Sequence, residues 1–126
     1  MIRRVGIDDD IPFIVETFCK SFRAASTQAE GLSKERTARL ITNLLDLKWH
    51  ATIADSEGMI VGWIVHREKN ELAWFYVRDL FRGQGVGRCL LKWANVDRMK
   101  RVMSPFMPNR APRMFAINHR PYETVL

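Results

Sequence analysis

From residue 11 the apolar positions Ile11, Ile14, Val15, Phe18, Cys19 and Phe22 recur at the steps of one helical face. Asp9 or Asp10 can cap this helix, and Pro12 suits its first turn. Cys19 lies on the apolar stripe and reads as a core residue. Residues 24–32 are small and polar and read as a loop. Ser33 can cap a second helix, whose Thr37, Leu40, Ile41, Leu44 and Leu45 share one face. Ahead of both helices, residues 2–6 read as a short strand. Behind them, residues 49–55 and 59–67 form a predicted hairpin turning at Asp55-Ser56-Glu57-Gly58. A tight connection, Glu68-Lys69-Asn70, leads to a strand at residues 71–78, where Trp74, Phe75, Tyr76 and Val77 are strong strand formers.

The pattern then changes to Arg82-Gly83-Gln84-Gly85-Val86-Gly87, and Val86, Cys89, Leu90, Trp93 and Ala94 return to helical spacing. A strand feeding a helix through a glycine-rich turn suits a phosphate. The first amides of a helix lack internal partners, its dipole favours an anion, and glycine lets the ligand approach the backbone. A Walker loop requires Lys-Ser/Thr after its last glycine, and Arg88-Cys89 stands there. A dinucleotide fingerprint requires Gly-x-Gly-x-x-Gly/Ala, and the last position falls on Arg88 or Leu90. With Pro105, Pro108 and Pro112, residues 104–112 read as loop, and residues 113–118 as a last strand.

The chain has 126 residues, 47% hydrophobic and 27% charged, as in one ordinary globular domain, expected to span 1–126. Its longest apolar runs are far short of the ~20 residues that span a bilayer. Arg3 and Arg4 lead into Asp8-Asp9-Asp10 rather than the apolar core of a signal peptide. Cys19 and Cys89 allow at most one disulfide and read more simply as free thiols of a cytoplasmic protein. No metal site and no membrane partner is expected. The net charge of +6 is concentrated at one end. Arg98, Lys100, Arg101, Arg110, Arg113 and Arg120 face only Glu123 in residues 98–126. Such a segment suits a phosphorylated cofactor, a nucleic acid or an acidic protein.

Arg82-x-x-Gly85-x-Gly87 resembles the Arg/Gln-x-x-Gly-x-Gly/Ala motif of the GCN5-related N-acetyltransferase (GNAT) superfamily, and residues 77–91 resemble its whole strand–loop–helix signature. The resemblance implies an α+β fold: a mostly antiparallel sheet of about five strands, the fourth and fifth parallel and splayed, flanked by three main helices. It implies that acetyl-CoA lies between the splayed strands with its pyrophosphate on the amides of Gly83, Gln84, Gly85, Val86 and Gly87. Arg82 and Arg88 would add charge, and Tyr76 and Val77 would offer backbone groups to the pantetheine arm. The family's fourth helix and final two strands have no residues to form them here. A second copy or a target protein is therefore expected over the flank of the fifth strand.

Acyl transfer to an amine requires the neutral amine, and a lysine with a pKa near 10.4 is almost wholly protonated at neutral pH. A carboxylate or histidine can take that proton. Glu71, six residues before Val77, matches the spacing of a general-base Glu in the histone-acetyltransferase branch, and His66 on the neighbouring strand is the second candidate. Tyr122 is the candidate acid for the leaving thiolate, again by resemblance. The expected function is acetyl transfer from acetyl-CoA to an amine, for instance a protein lysine or N-terminus. The rival readings are a CoA-binding regulator or inhibitor without turnover, and a nucleic-acid-associated factor using the basic C-terminal segment.

Overall fold

The computed structural model describes residues 1–68, 70–97, 99–106 and 117–119, the last three by their backbone alone. In chain order the elements are β1 (Ile2–Val5), α1 (Ile11–Ala25), α2 (Lys34–Asp46), β2 (His50–Ser56), β3 (Met59–Arg67), β4 (Glu71–Val77), α3 (Val86–Trp93), β5 (Val102–Ser104) and β6 (Ile117–His119). They build one sheet in the order β1-β2-β3-β4-β5-β6. Its first four strands are antiparallel, and β5 and β6 add in parallel.

Helices cover both faces. α1 buries Ile14, Phe18, Cys19 and Phe22, and α2 buries Thr37, Leu40, Ile41 and Leu44. Together they cover Ile53, Trp63, Val65 and Ala73 of the sheet. Two tryptophans bind α1 by their polar ends: Trp63 Nε1 donates to Thr17 Oγ1 at 2.8 Å, and Trp74 Nε1 to Ser21 Oγ at 2.9 Å. On the other face, Val86, Leu90 and Leu91 of α3 pack on Ala54, Val61, Ile64 and Leu72. Each fully buried large apolar side chain contributes ~1.5–3 kcal/mol, against ~0–1 kcal/mol for an exposed ion pair. The apolar stripes therefore decide where the helices sit.

Ser33 caps α2 as its sequence predicts, accepting from the Arg36 amide at 3.1 Å. Asp10 stands at the start of α1 without capping it by its side chain. Its buried carboxylate accepts from the Ile7 amide at 2.8 Å and from both Arg4 Nη atoms, at 2.7 and 2.8 Å. Arg4 Nε also donates to Asp55 at 2.9 Å, tying β1 to the start of α1 and to the end of β2. The hydrogen bonds from Arg4 hold both carboxyls below the ordinary Asp range.

The expectation for the fifth strand changes. It forms at Val102–Ser104, too short for an alternating pattern to register, and a sixth follows at Ile117–His119. β6 pairs along β5 (Val102↔Ile117, Met103↔Asn118, Ser104↔His119). The flank for which a partner was expected is thus occupied by this chain's own backbone. Asn70, in the β3–β4 turn at φ +63°, fixes where β5 begins. Its Nδ2 donates to Asp97 O and Arg101 O, both at 3.1 Å, and its Oδ1 accepts from the Asp97 amide at 2.6 Å. Its backbone oxygen accepts from the Met103 amide at 3.0 Å.

Candidate functional site

β4 carries one residue more than β3 can pair. The register runs from Val65↔Trp74 to His66↔Leu72, leaving Ala73 as a bulge. A bulge bends its strand and frees backbone groups. Here the Ala73 carbonyl accepts from Ser104 Oγ at 3.4 Å, and Ser104 Oγ accepts from the Phe106 amide at 3.2 Å. The β4–β5 register is the single pair Glu71↔Met103, after which β5 ends at Ser104 while β4 continues to Val77. Phe106 fills the closed end of this opening, its ring 5.2 Å from Phe18, 5.4 Å from Phe22 and 6.3 Å from Trp74.

The edge of β4 beyond Ala73 is therefore unpaired by β5. Arg78 N donates to Val61 O at 2.9 Å, so alternation turns Arg78, Tyr76 and Trp74 toward β3. Phe75 and Val77 turn their N–H and C=O outward. The Val77 carbonyl already accepts from Arg82 Nε at 3.0 Å, which leaves the Phe75 amide and carbonyl and the Val77 amide. Tyr76, expected to offer its backbone, instead contributes its ring, edge-on to Phe13 at 6.3 Å and beneath Arg82 at 5.8 Å.

Past β4, a 3-10 turn at Asp79–Phe81 leads through Arg82–Gly85 into α3. Gly83 (φ +79°) and Gly85 (φ +86°) adopt the left-handed conformation, and a Cβ on either would meet nothing within 4 Å. The first amide from this segment to find a backbone acceptor in the helix is that of Cys89, which donates to Gly85 O at 3.1 Å. Among the described residues, the amides of Gly83, Gln84, Gly85, Val86, Gly87 and Arg88 have no backbone acceptor. Orphan amides facing open space at the positive end of a helix fit a diphosphate. Gln84 Nε2 braces the loop on Leu80 O at 3.1 Å. Arg82 is paired with Asp79 at 2.8 Å, while Arg88 is exposed with no ion pair among the described residues.

Glu71 lies at the other end of β4. Arg67 Nη2 and Nε donate to its two oxygens at 2.6 and 3.2 Å, and the same guanidinium stacks on Trp49 at 4.6 Å. His66 sits one strand away from the opening, beside His50, with its Nε2 2.8 Å from Thr52 Oγ1. Burial, then the neighbouring His50, pushes its pKa down to about 4, so it is neutral at pH 7 and a weak base. Tyr122 lies outside the described residues, as does most of the basic C-terminal segment. A shallow cleft of about 200 Å³, lined by Arg23, Ser26, Thr27, Ala29 and Glu30, marks the α1–α2 loop. Cys19 is buried, Cys89 is partly exposed, and both are free. The bulge at Ala73, the free edge at Phe75 and the grip of Arg67 on Glu71 have no sequence signal, because each arises from pairing between strands.

A mostly antiparallel sheet opened between two parallel strands, with a glycine-rich loop leading from the mouth into a helix, defines the class of α+β fold. This chain belongs to the acetyltransferase (GNAT) domain family, which matches residues 48–116. Solved structures similar to it include a ribosomal-protein-alanine N-acetyltransferase from Brucella melitensis (22% identity, TM-score 0.56, 75% of this chain and 65% of that one). The yncA protein of Salmonella typhimurium, in a structure with its cofactor acetyl-CoA, is 18% identical with a TM-score of 0.56 (75% of this chain, 60% of that one). An acetyltransferase from Vibrio fischeri is 13% identical with a TM-score of 0.52 (75% of this chain, 84% of that one). At these identities the likeness is one of fold. The chain spans just under two thirds of the Brucella protein and three fifths of the Salmonella one. No curated protein matches this chain.

Proposed function

We propose that residues 1–126 act as one domain that transfers the acetyl group of acetyl-CoA to an amine. The observation that carries this reading is the row of unpartnered amides from Gly83 to Arg88 beside the free edge of β4. The amides would hold the diphosphate, with Arg88 adding charge. The free groups of Phe75 and Val77 would pair with the amide-containing arm and bring the thioester down the edge toward Ala73. An outward N–H of β4 would stabilise the oxyanion as the amine nitrogen adds to the carbonyl carbon. Glu71 would take the ammonium proton, directly or through water, before attack. The C–S bond then breaks and the thiolate takes a proton, for which Tyr122 is the proposed donor. The α1–α2 cleft is the proposed approach for the acceptor, whose class extends to protein lysines and N-termini.

A second reading is favoured by one contact. Both Glu71 oxygens are held by Arg67, as in a structural ion pair, which suits a CoA-binding regulator without turnover. The test is thiol release from acetyl-CoA across a panel of amines, with mass spectrometry for a single acetyl addition. Acetylation supports the enzyme. Tight acetyl-CoA binding without acetylation supports the regulator. Among the described residues no helix is long and apolar enough to cross a membrane, and we place the protein in the cytoplasm on its free thiols.

A further inference from the structure

Arg4, Arg67 and Arg82 each have an acidic partner. Arg78 has none among the described residues, although it is half-buried. Its amide donates to Val61 O at 2.9 Å and its Nε to Ile60 O at 2.6 Å, so it is anchored twice to β3. The guanidinium carbon stands 4.5 Å from the centre of the Phe13 ring. Its carbonyl accepts from the Phe81 amide at 2.9 Å, so Arg78 opens the 3-10 turn that leads to the glycine loop. The Nε bond and the stacked ring fix the plane of the fork. The two Nη groups have no acceptor among the described residues.

We propose that Arg78 is a diphosphate-binding residue, gripping the cofactor's diphosphate oxygens from the α1 face while the loop amides hold them from the α3 side. This rests on the reading of the glycine loop as the diphosphate cradle. Phe13 is the platform: a stacked guanidinium is weakly hydrated and preorganised for two parallel bonds to an oxyanion. An anionic group on the acceptor is a poorer match. Arg78 is seven residues from Glu71, roughly 23 Å along an extended strand, whereas the acceptor must react near Glu71.

The experiment is calorimetric binding of CoA, dephospho-CoA and pantetheine to the parent, to Arg78→Gln and to Arg78→Lys, with thermal melts to establish folding. The parent should bind CoA; a parent that does not would sink the cradle reading itself. Arg78→Gln should weaken CoA and dephospho-CoA roughly 10- to 100-fold, the range for hydrogen bonds to a charged group, and leave pantetheine unchanged. Arg78→Lys should fall between, since it keeps the charge and loses the fork. Phe13→Leu, which removes only the platform, should weaken CoA less than Arg78→Gln and serves if that variant does not fold. The proposal is overturned if the folded variants bind CoA like the parent, or if CoA and pantetheine weaken equally. It is also overturned if the loss vanishes with dephospho-CoA, which would assign Arg78 to the 3′-phosphate.

Discussion

The Arg67 guanidinium holds both carboxylate oxygens of Glu71, at 2.6 and 3.2 Å, at the foot of the strand that carries the proposed cofactor edge. The pairing fixes where the carboxylate points, on the strand end nearest the proposed reaction site. Glu71→Gln should therefore lower turnover by roughly 10²–10⁴-fold at neutral pH, the usual share of a general base. CoA affinity should stay unchanged, because Glu71 is at the far end of β4 from the glycine loop. The deficit should shrink at high pH, where the amine loses its proton unaided. Full activity in the variant, read by thiol release, would remove Glu71 from the mechanism.

Gly85 is the residue before α3, at φ +86°, with open space where a Cβ would stand. Asp tolerates this conformation better than most residues, so Gly85→Asp should fold. Its carboxylate would stand in that space and repel a phosphate. CoA should raise the melting temperature of the parent, by binding the folded state alone, and should not raise that of the variant. An equal thermal shift in both proteins would place the phosphates elsewhere.

Gly62 of β3 lies beneath α3 with no room for a side chain. A Cβ there would lie 2.8 Å from Tyr76 O, 3.2 Å from Leu90 Cδ1 and 3.3 Å from Val86 Cγ1. The leucine tip can move, but the carbonyl belongs to the β3–β4 ladder. Gly62→Ala should therefore cost ~1–3 kcal/mol, as overpacking does. It should also weaken CoA binding, since Val86 opens the helix whose amides are at issue. Chemical denaturation and calorimetry on the same variant check both effects.

Much of this was legible in the chain. The stripe from Ile11 to Phe22, the Ser33 cap, the hairpin and the strand–glycine–helix sequence all lie within single elements, where period and turn chemistry report directly. The opening between β4 and β5 does not. Three residues, Val102–Ser104, are too few for a period, and the bulge at Ala73 exists only against β3. Asp10 reads as a cap from its position, yet Arg4, brought near by the strand β1, captures it. The turn residue Asn70 was visible, while its grip on Asp97 and Arg101 depends on a separation of some thirty residues closed by the fold.

That grip can be tested apart from the turn. Asn70→Gly keeps the positive φ and deletes only the side chain with its three hydrogen bonds. Each bond is exposed, so a loss of ~1–2 kcal/mol in all is expected. The amides of Asp97 and Met103 should lose hydrogen-exchange protection before those of β2 and β3. Uniform loss across the sheet would mean that Asn70 is not the local fastener of β5.

His66 is held near pKa 4 by burial and by His50, against 6.5 for an ordinary histidine. Between these values the unfolded chain binds a proton that the folded one refuses. Stability should therefore be fully present above pH 6.5 and fall steadily toward pH 4. Asp10 and Asp55 act in a separate window. Arg4 depresses both, so their contribution persists until the pH drops below their ordinary value of 3.8. Denaturant midpoints measured from pH 7 to pH 3 should thus fall in two stages. His66→Gln, which keeps a polar partner for Thr52, should flatten the upper stage and leave the lower one intact. Arg4→Met should lower stability at neutral pH and erase the lower stage. If the parent is equally stable at pH 6.5 and pH 4.5, His66 is not buried in the neutral state.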